Sequence, residues 1–186
     1  MIWKGIRTLF YLFFMLLSIQ LLFAAPPPNV SQRIAFVNNA LSYFGTPYRY
    51  GGCSATGMDC SGFVYRTGVD VLELQMPRRS DALAEYSKRI TDEEIQPGDL
   101  LFFNTVGGIS HVGIYIGAGK FIHSASDGPR TGVIISTIQE PYWKKTYRFA
   151  GSIMKPEEIF FAESKIPFFS RTPENCTIHP DIRGKF

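Results

Sequence analysis

The sequence predicts an α+β fold in which N-terminal helices pack on a central antiparallel sheet. In the first half of the chain, apolar residues recur at intervals of three and four, which is typical of helices. From about residue 96 onward, short apolar or alternating runs are separated by glycine-rich turns, which is typical of antiparallel strands. Helices that precede a block of strands indicate α+β architecture.

The start of the chain has the pattern of an export signal. Lys4 and Arg7 give it a basic beginning, Leu9–Phe23 is almost wholly apolar, and small residues precede a proline run. We therefore predict a signal peptide over residues 1–25 and a location in the periplasm or cell envelope. An uncleaved membrane anchor is the alternative, because the apolar stretch is long. A proline-rich linker is predicted over residues 26–31.

The net charge gives no reason to expect nucleic acid as a partner. The chain carries +3, and removal of residues 1–25 takes away two positive charges, which leaves +1. A nearly neutral protein lacks the basic excess that attracts phosphate backbones. We expect a monomer that contacts a membrane only if the N-terminal segment is retained.

The three cysteines, Cys53, Cys60 and Cys176, leave at least one thiol unpaired. A bridge between Cys53 and Cys176 would leave Cys60 free, and three reduced thiols are the alternative. Cys53 and Cys60 are seven residues apart and the candidate histidines twelve apart, so the short ligand pairs of zinc sites are absent. We predict no metal site.

Three helices are predicted in the first half of the chain. Ser31 is expected to cap the first helix, and Gly45–Pro47 ends it. The apolar positions of this helix are Ile34, Val37, Leu41 and Phe44. The second helix begins at Cys60 with Asp59 as its N-cap, and it carries Phe63 and Val64 into the core. The third helix is predicted over Ser80–Ser87.

The second half of the predicted domain, which spans residues 32–155, consists of strands. The predicted strands are Leu100–Phe103, His111–Ile116, Lys120–His123, Val133–Ile135 and Arg148–Ala150. Residues 156–186 lack a regular pattern and are predicted to form an irregular C-terminal tail.

Cys60, His111 and His123 are the candidate chemical groups. A cysteine in the first turn of a helix lies near unpaired backbone N–H groups, so we expect a depressed thiol pKa. If the turn at 117–119 takes three residues, strand pairing puts His123 opposite Gly113 and diagonal to His111. The helix of Cys60 is expected to pack on this histidine face. His111 would then take the thiol proton and His123 would orient its ring.

A one-residue slip in register would place His123 on the other face of the sheet. The alternative for both histidines is a core or surface position without a chemical role.

Six motifs in order resemble those of NlpC-type cell-wall cysteine peptidases, and the resemblance spans about Ile34 to Ile153. The motifs are Tyr48-Arg49-Tyr50-Gly51-Gly52, Asp59-Cys60-Ser61-Gly62-Phe63-Val64, Pro77-Arg78, Gln96-Pro97-Gly98-Asp99 with the apolar run after it, Ser110-His111-Val112-Gly113 with the strand that follows, and Phe121-Ile122-His123-Ser124. The resemblance implies a papain-like α+β fold, a Cys-His-His triad and no cofactor. It also implies hydrolysis of peptidoglycan peptide stems, commonly at the γ-D-glutamyl-diamino acid bond.

The resemblance assigns catalytic roles to four residues. Cys60 is the implied nucleophile, His111 the base and His123 the orienting residue. Tyr48 resembles the hydroxyl on the oxyanion side, with Tyr50 as its substitute if the loop is offset, and a packing aromatic is the alternative.

Four further residues are candidates for substrate binding. Asp59 is a candidate contact for the substrate amine, although helix capping alone explains it. Ser61 is a candidate oxyanion donor through its backbone N–H, with a purely structural place at the helix start as the alternative. Arg78 is a candidate for a stem carboxylate, with a solvated arginine as the alternative. Ser110 precedes the predicted base.

Two other functions remain open for this scaffold. One is an acyltransferase or amidase that acts on a lipid or another amide. The other is a catalytically idle wall-binding module, against which the presence of Cys60, His111 and His123 argues.

Overall fold

The computed structural model describes residues 28–154. The signal peptide predicted over residues 1–25 and the tail predicted over 156–186 lie outside the described residues. Within residues 28–154, no helix has the length and apolar character that crossing a membrane requires.

The described residues form helices and an antiparallel sheet, as predicted. The helices are α1 (Pro28–Ser42), α2 (Cys60–Leu72), α3 (Ser80–Tyr86) and α4 (Pro141–Thr146), with a 3₁₀ turn at Asp92–Glu94. The strands are β1 (Cys53–Ser54), β2 (Gly57–Met58), β3 (Lys88–Ile90), β4 (Leu100–Phe103), β5 (His111–Gly117), β6 (Lys120–Ala125), β7 (Gly132–Thr137) and β8 (Tyr147–Ser152). Six strands form one sheet in the order β3-β8-β4-β5-β6-β7, and β1 and β2 form a separate hairpin.

The start of α2 agrees with the prediction. The Asp59 carboxylate accepts a hydrogen bond of 2.7 Å from the Gly62 backbone N–H and so caps the helix. Phe63 and Val64 are fully buried. The helix therefore begins at Cys60 and is fixed against the core within its first turn.

The first helix begins earlier than predicted. It starts at Pro28, three residues before Ser31, the residue expected to cap it. Residues 28–31 are therefore helical and do not belong to the linker predicted over residues 26–31. Proline suits the first turn of a helix because its φ is fixed near the helical value and the turn does not need its missing N–H.

The face of α1 that packs on the domain also differs from the expected one. Ile34 and Leu41 belong to the apolar pattern, yet they are 53% and 38% exposed, and Phe44 lies beyond the end of α1. Phe36 and Ala40, one turn apart, are instead fully buried. The spacing of apolar residues thus predicted the helix correctly but not its rotation about its own axis.

An ion pair accounts for this rotation. Arg33 donates from Nη1 to Asp99 Oδ1 at 2.8 Å and from Nη2 to Ser152 Oγ at 3.2 Å. Asp99 is fully buried, and its second oxygen accepts a hydrogen bond of 2.8 Å from the Gln96 N–H. Because Arg33 must face Asp99, its neighbour Ile34 is turned toward solvent.

The connection between β5 and β6 reaches the predicted register by a different route. Gly117 pairs with Lys120, so the turn has two residues and not three. A register shift between Tyr115 and Gly117 adds one residue to β5 as a bulge. The bulge offsets the shorter turn, and pairing continued along the two strands places His123 opposite Gly113, as predicted.

Two apolar clusters cover the two faces of the sheet. The larger cluster lies under α1 and α2 and includes Phe36, Phe63, Phe102, Val112 and Ile122. The smaller cluster, on the other face, consists of Leu101, Phe103, Phe121 and Ala150, with Trp143 of α4 packed against it. The sequence did not predict α4, β3 or the β1–β2 hairpin.

We predict that Asp99→Asn lowers the free energy of unfolding by about 3 kcal/mol, because it leaves Arg33 facing a neutral amide at a buried site. Urea denaturation measures this loss. The matched control is Asp81→Asn, since Asp81 pairs with Arg79 on the surface with side chains 46% and 61% exposed. The control should cost about 1 kcal/mol or less. Equal losses in the two variants would show that the buried pair does not hold α1.

Candidate active site

The Cys60 thiol lies at the start of α2, where the helix meets the beginning of β5. Its Sγ is 3.9 Å from the Ser110 carbonyl oxygen, to which it donates. The backbone N–H groups of Val112 and Ser61 lie near the sulfur and favour the thiolate. Cys60 is a free thiol and partly exposed. The sulfur thus lies against the backbone on both sides of His111.

The direction of the Cys60 pKa is opposite to the one expected from its place in the helix. Burial, followed by the nearby Asp59 carboxylate, raises the pKa of the thiol to about 11. The backbone N–H groups and the Arg78 guanidinium favour the thiolate but are outweighed. In the protein without substrate, the proton therefore stays on sulfur near neutral pH.

His111 and His123 are in direct contact, as the strand register predicts. His111 Nε2 and His123 Nδ1 are 2.9 Å apart, and the two rings are nearly perpendicular. His111 is 7% exposed and His123 is fully buried. Burial lowers the pKa of His111 to about 4 and holds that of His123 well below its ordinary value. Both rings are therefore neutral at physiological pH.

The face on which the histidines lie is not the one expected. Strand alternation puts His111 and His123 on the side of Phe103 and Phe121, opposite the side on which α2 packs. Cys60 therefore approaches the histidines from the beginning of β5 and not from above their face. The expectation was wrong because it assumed that Cys60 must pack on the face that carries the histidines. The beginning of β5 gives the thiol another way to reach the residues beside His111.

Trp143 covers the two histidine rings. Its ring stacks on His111 with centroids 5.2 Å apart and meets His123 edge-on at 4.7 Å. Phe121 stacks on the other side of the His123 ring at 4.8 Å. These rings keep water away from the contact between the histidines. Trp143 was not predicted to belong to the site. The Glu140-Pro141 pair, at which α4 starts, was the available signal for the helix that carries it.

His123 has a further hydrogen-bond partner that the sequence analysis did not identify. Its Nε2 is 3.1 Å from Oγ of Ser136 on β7, and Ser136 is 7% exposed. Ser136 pairs with Phe121 across the strands, which makes it a diagonal neighbour of His123 on the same face. The hydrogen bonds thus extend from His111 through His123 to Ser136.

Tyr48 lies near enough to Cys60 for the charge on that sulfur to act on the Tyr48 hydroxyl. Burial, together with the charges of Cys60 and Asp59, raises the pKa of the Tyr48 hydroxyl to about 12, so the group stays a proton donor. The nearby Ser126 side chain acts in the opposite direction on this pKa but is outweighed. Tyr50, the substitute considered for this position, is 81% exposed. The structure therefore brings Tyr48, and not Tyr50, to the thiol.

Arg78 and Asp59 bind each other. Arg78 Nη1 is 2.7 Å from Asp59 Oδ1, and Nη2 is 2.9 Å from Oδ2. Nη2 also donates to the Gly52 carbonyl oxygen at 2.8 Å, and the Gly51 N–H donates to Asp59 Oδ2 at 2.8 Å. Arg78 and Asp59 therefore form an internal pair, and their expected contacts with a stem carboxylate and a substrate amine stay predictions.

The two candidate serines have different surroundings. The Ser61 hydroxyl donates to Asp59 at 3.3 Å and accepts from Arg78 at 3.0 Å. The Ser110 hydroxyl accepts from the N–H groups of Thr105 and Val106, and so closes the loop before β5. The Ser110 side chain thus holds its own loop, and only its carbonyl faces Cys60.

The remaining cysteine and the possibility of a metal also bear on the site. Cys53 is disulfide-bonded, which excludes three reduced thiols. Cys176, the partner considered for it, lies outside the described residues.

Within residues 28–154, no group of three or more His, Cys, Asp or Glu side chains is arranged to hold a metal ion.

Comparison with known proteins gives matches over most of the described residues. A model of the NlpC/P60 family matches residues 45–152. The chain is 43% identical over 131 residues to a protein of Escherichia coli K12 named probable endopeptidase NlpC, and the match covers 66% of this chain and 83% of that protein.

A second E. coli K12 protein, named murein DD-endopeptidase MepS/murein LD-carboxypeptidase, is 37% identical over 126 residues. That match covers 68% of this chain and 65% of the MepS chain. Among solved structures, the NlpC/p60 domain of the peptidoglycan hydrolase SagA superimposes with a TM-score of 0.57 at 31% identity. The superposition covers 65% of this chain and 98% of that domain.

We predict that alkylation of Cys60 by iodoacetamide is slow at pH 6 and accelerates about tenfold per pH unit up to pH 9, because only the thiolate reacts. Timed labelling followed by peptide mapping measures the rate at Cys60, and the disulfide-bonded Cys53 should stay unlabelled. Free cysteine, with a pKa of about 8.5, is the reference and should level off sooner. A rate that is already constant near pH 6 would show a preformed thiolate–imidazolium pair and contradict the neutral resting state.

Proposed function

The chain belongs to the NlpC/P60 family and is a cysteine peptidase, and we propose that it hydrolyses peptide stems of bacterial peptidoglycan. The relatives named endopeptidase and peptidoglycan hydrolase support this substrate class. The observation that carries the proposal is the free Cys60 thiol at a helix start beside a buried histidine pair.

The first step is attack by Cys60 on a stem amide carbonyl. His111 Nε2 is occupied by His123, which leaves His111 Nδ1 as the nitrogen that takes the thiol proton. Because the thiol and the ring are both neutral in the resting protein, the proton moves as the sulfur attacks. The charge that develops on His111 is shared through the hydrogen bond to His123.

The tetrahedral oxyanion is stabilised by donors that converge near Cys60. The Tyr48 hydroxyl is one candidate, since its raised pKa keeps it protonated beside the sulfur. The backbone N–H of Ser61 in the first turn of α2 is the other. Donors held in place by a helix start and a buried loop lose little free energy to reorganisation during the reaction.

Collapse of the intermediate releases the amine and forms a thioester. The imidazolium of His111 gives its proton to the leaving nitrogen, so the amine departs neutral. A water molecule then attacks the thioester carbon and transfers a proton to His111. The sulfur of Cys60 leaves as a thiolate and takes that proton back from His111. This restores the neutral thiol and the neutral imidazole.

Within the stem, we propose the γ-D-glutamyl-diamino acid bond as the target, the bond that NlpC-type peptidases commonly cleave. One relative is named murein DD-endopeptidase, so the bond that a DD-endopeptidase cuts is the second candidate. Stem peptides lie outside the inner membrane, so we also propose that the protein is exported to the periplasm or cell envelope. The export pattern of residues 1–25 supports this location.

We predict that the purified protein converts defined muropeptides into products with a newly exposed diamino acid amine. Mass spectrometry of the products identifies the bond, because cleavage at γ-D-glutamate and cleavage at a DD bond give different masses. Cys60→Ala should abolish turnover while the protein remains folded, and Ser87→Ala, a buried serine remote from the thiol, should not.

The assay also separates the other functions of this scaffold. Intact muropeptides that are bound by the protein would indicate a wall-binding module. Intact muropeptides together with transfer or cleavage of a lipid acyl group would indicate an acyltransferase. Either outcome with wild-type protein would refute the proposed hydrolysis.

We predict that His123→Gln retains measurable hydrolysis, whereas His111→Ala does not. A glutamine oxygen can accept the Nε2 proton of His111, so the orienting contact survives, but removal of His111 leaves no group to take the thiol proton. Steady-state kinetics of folded variants, checked by circular dichroism, measure the difference. Complete loss in both variants would contradict this division of roles.

A further inference from the structure

Ser136 lies at the end of the hydrogen-bonded side chains that begin at His111. It is on β7, two residues beyond the residue that pairs with His123, and its side chain points to the histidine face. Its Oγ is 3.1 Å from His123 Nε2, and it is 7% exposed. Ser136 therefore contacts the ring nitrogen of His123 that does not face His111.

The chemistry of His111 fixes the direction of these hydrogen bonds. His111 can accept the thiol proton only if its Nδ1 is unprotonated, so its proton must reside on Nε2. That Nε2–H then donates to His123 Nδ1 across the 2.9 Å contact. Because His123 Nδ1 accepts, the single proton of its neutral ring must lie on Nε2.

The proton on His123 Nε2 needs an acceptor inside the protein. His123 is fully buried between the rings of Phe121 and Trp143, so bulk water does not reach it. A buried N–H without an acceptor costs about 1–3 kcal/mol. The hydroxyl oxygen of Ser136 is the acceptor at hydrogen-bond distance.

We propose that Ser136 is a positioning residue that stabilises the tautomers of both histidines that the reaction requires. By accepting the Nε2 proton of His123, Ser136 keeps His123 Nδ1 as an acceptor and therefore keeps the His111 proton on Nε2. The inference deepens the proposed hydrolysis, on which its catalytic consequence rests, but the tautomers themselves do not depend on any substrate.

Loss of the Ser136 hydroxyl favours the opposite arrangement. With alanine at this position, protonation of His123 Nε2 would leave a donor without a partner. Moving the proton to His123 Nδ1 replaces the orphan donor by an orphan acceptor, which buried sites tolerate more readily, and makes His123 donate to His111 Nε2. His111 would then carry its proton on Nδ1, the nitrogen that must accept from Cys60, and could not act as the base.

The test uses the full chain labelled with ¹⁵N-histidine. Two-bond proton–nitrogen correlation spectra report which ring nitrogen of each histidine is protonated. We expect Nε2-protonated rings at His111 and His123 in the wild type and in Ser136→Thr, which keeps the hydroxyl. Ser136→Ala should shift a substantial fraction of both rings to Nδ1. Ser87→Ala is the matched control, because the Ser87 hydroxyl is bound to a backbone carbonyl away from the histidines.

Kinetics on muropeptides provide a second measurement. Ser136→Ala should lower kcat about 10–100-fold with KM unchanged, by analogy with the loss of residues that orient metal-ligating histidines, and Ser136→Thr should restore most of kcat. A Nδ1-protonated His111 in the wild type would overturn the proposal, and so would wild-type tautomers in folded Ser136→Ala. If the variants do not fold, the wild-type spectrum alone decides. Absence of wild-type hydrolysis would refute the proposed function. The spectra would still test the proposed tautomers, because they do not depend on turnover.

Discussion

The Asp59 carboxylate is the group on which the geometry of the site depends. It caps α2, accepts the Gly51 N–H and holds Arg78 through both oxygens. One buried charge therefore positions the helix start that carries the thiol, the glycine loop beside Tyr48 and the segment that precedes α3. The same charge helps to raise the pKa of Cys60, so the anchor that positions the sulfur also keeps it protonated before substrate arrives.

The parts of the fold that were predicted from sequence are those with local causes. The start of α2 follows from a capping side chain and two apolar residues within five positions, and the strands follow from short apolar runs. The rotation of α1 could not be predicted, because it is decided by Arg33 and Asp99, which are 66 residues apart. The register of β5 and β6 was predicted although the expected turn length was wrong, because the bulge and the shorter turn offset each other.

The site itself divides in the same way. Cys60, His111 and His123 were identified because their spacing and motifs are visible along the chain. Ser136 and Trp143 were missed, because their contacts depend on how β7 and α4 return to the sheet. Arg78 was expected to face substrate, since the sequence does not show that an internal carboxylate binds both of its terminal nitrogens.

The diagonal contacts from His111 to His123 to Ser136 cross three neighbouring strands, and each contact depends on the register in which two of them pair. Insertion of one residue within a paired strand, between a contacting side chain and the turn, would put that side chain on the opposite face unless a bulge absorbed it. The paired strands are therefore regions where evolution can readily exchange residue types but rarely change chain length. Related sequences that keep this series of contacts should show few gaps within β5, β6 and β7, whereas the loop between β6 and β7 can vary in length.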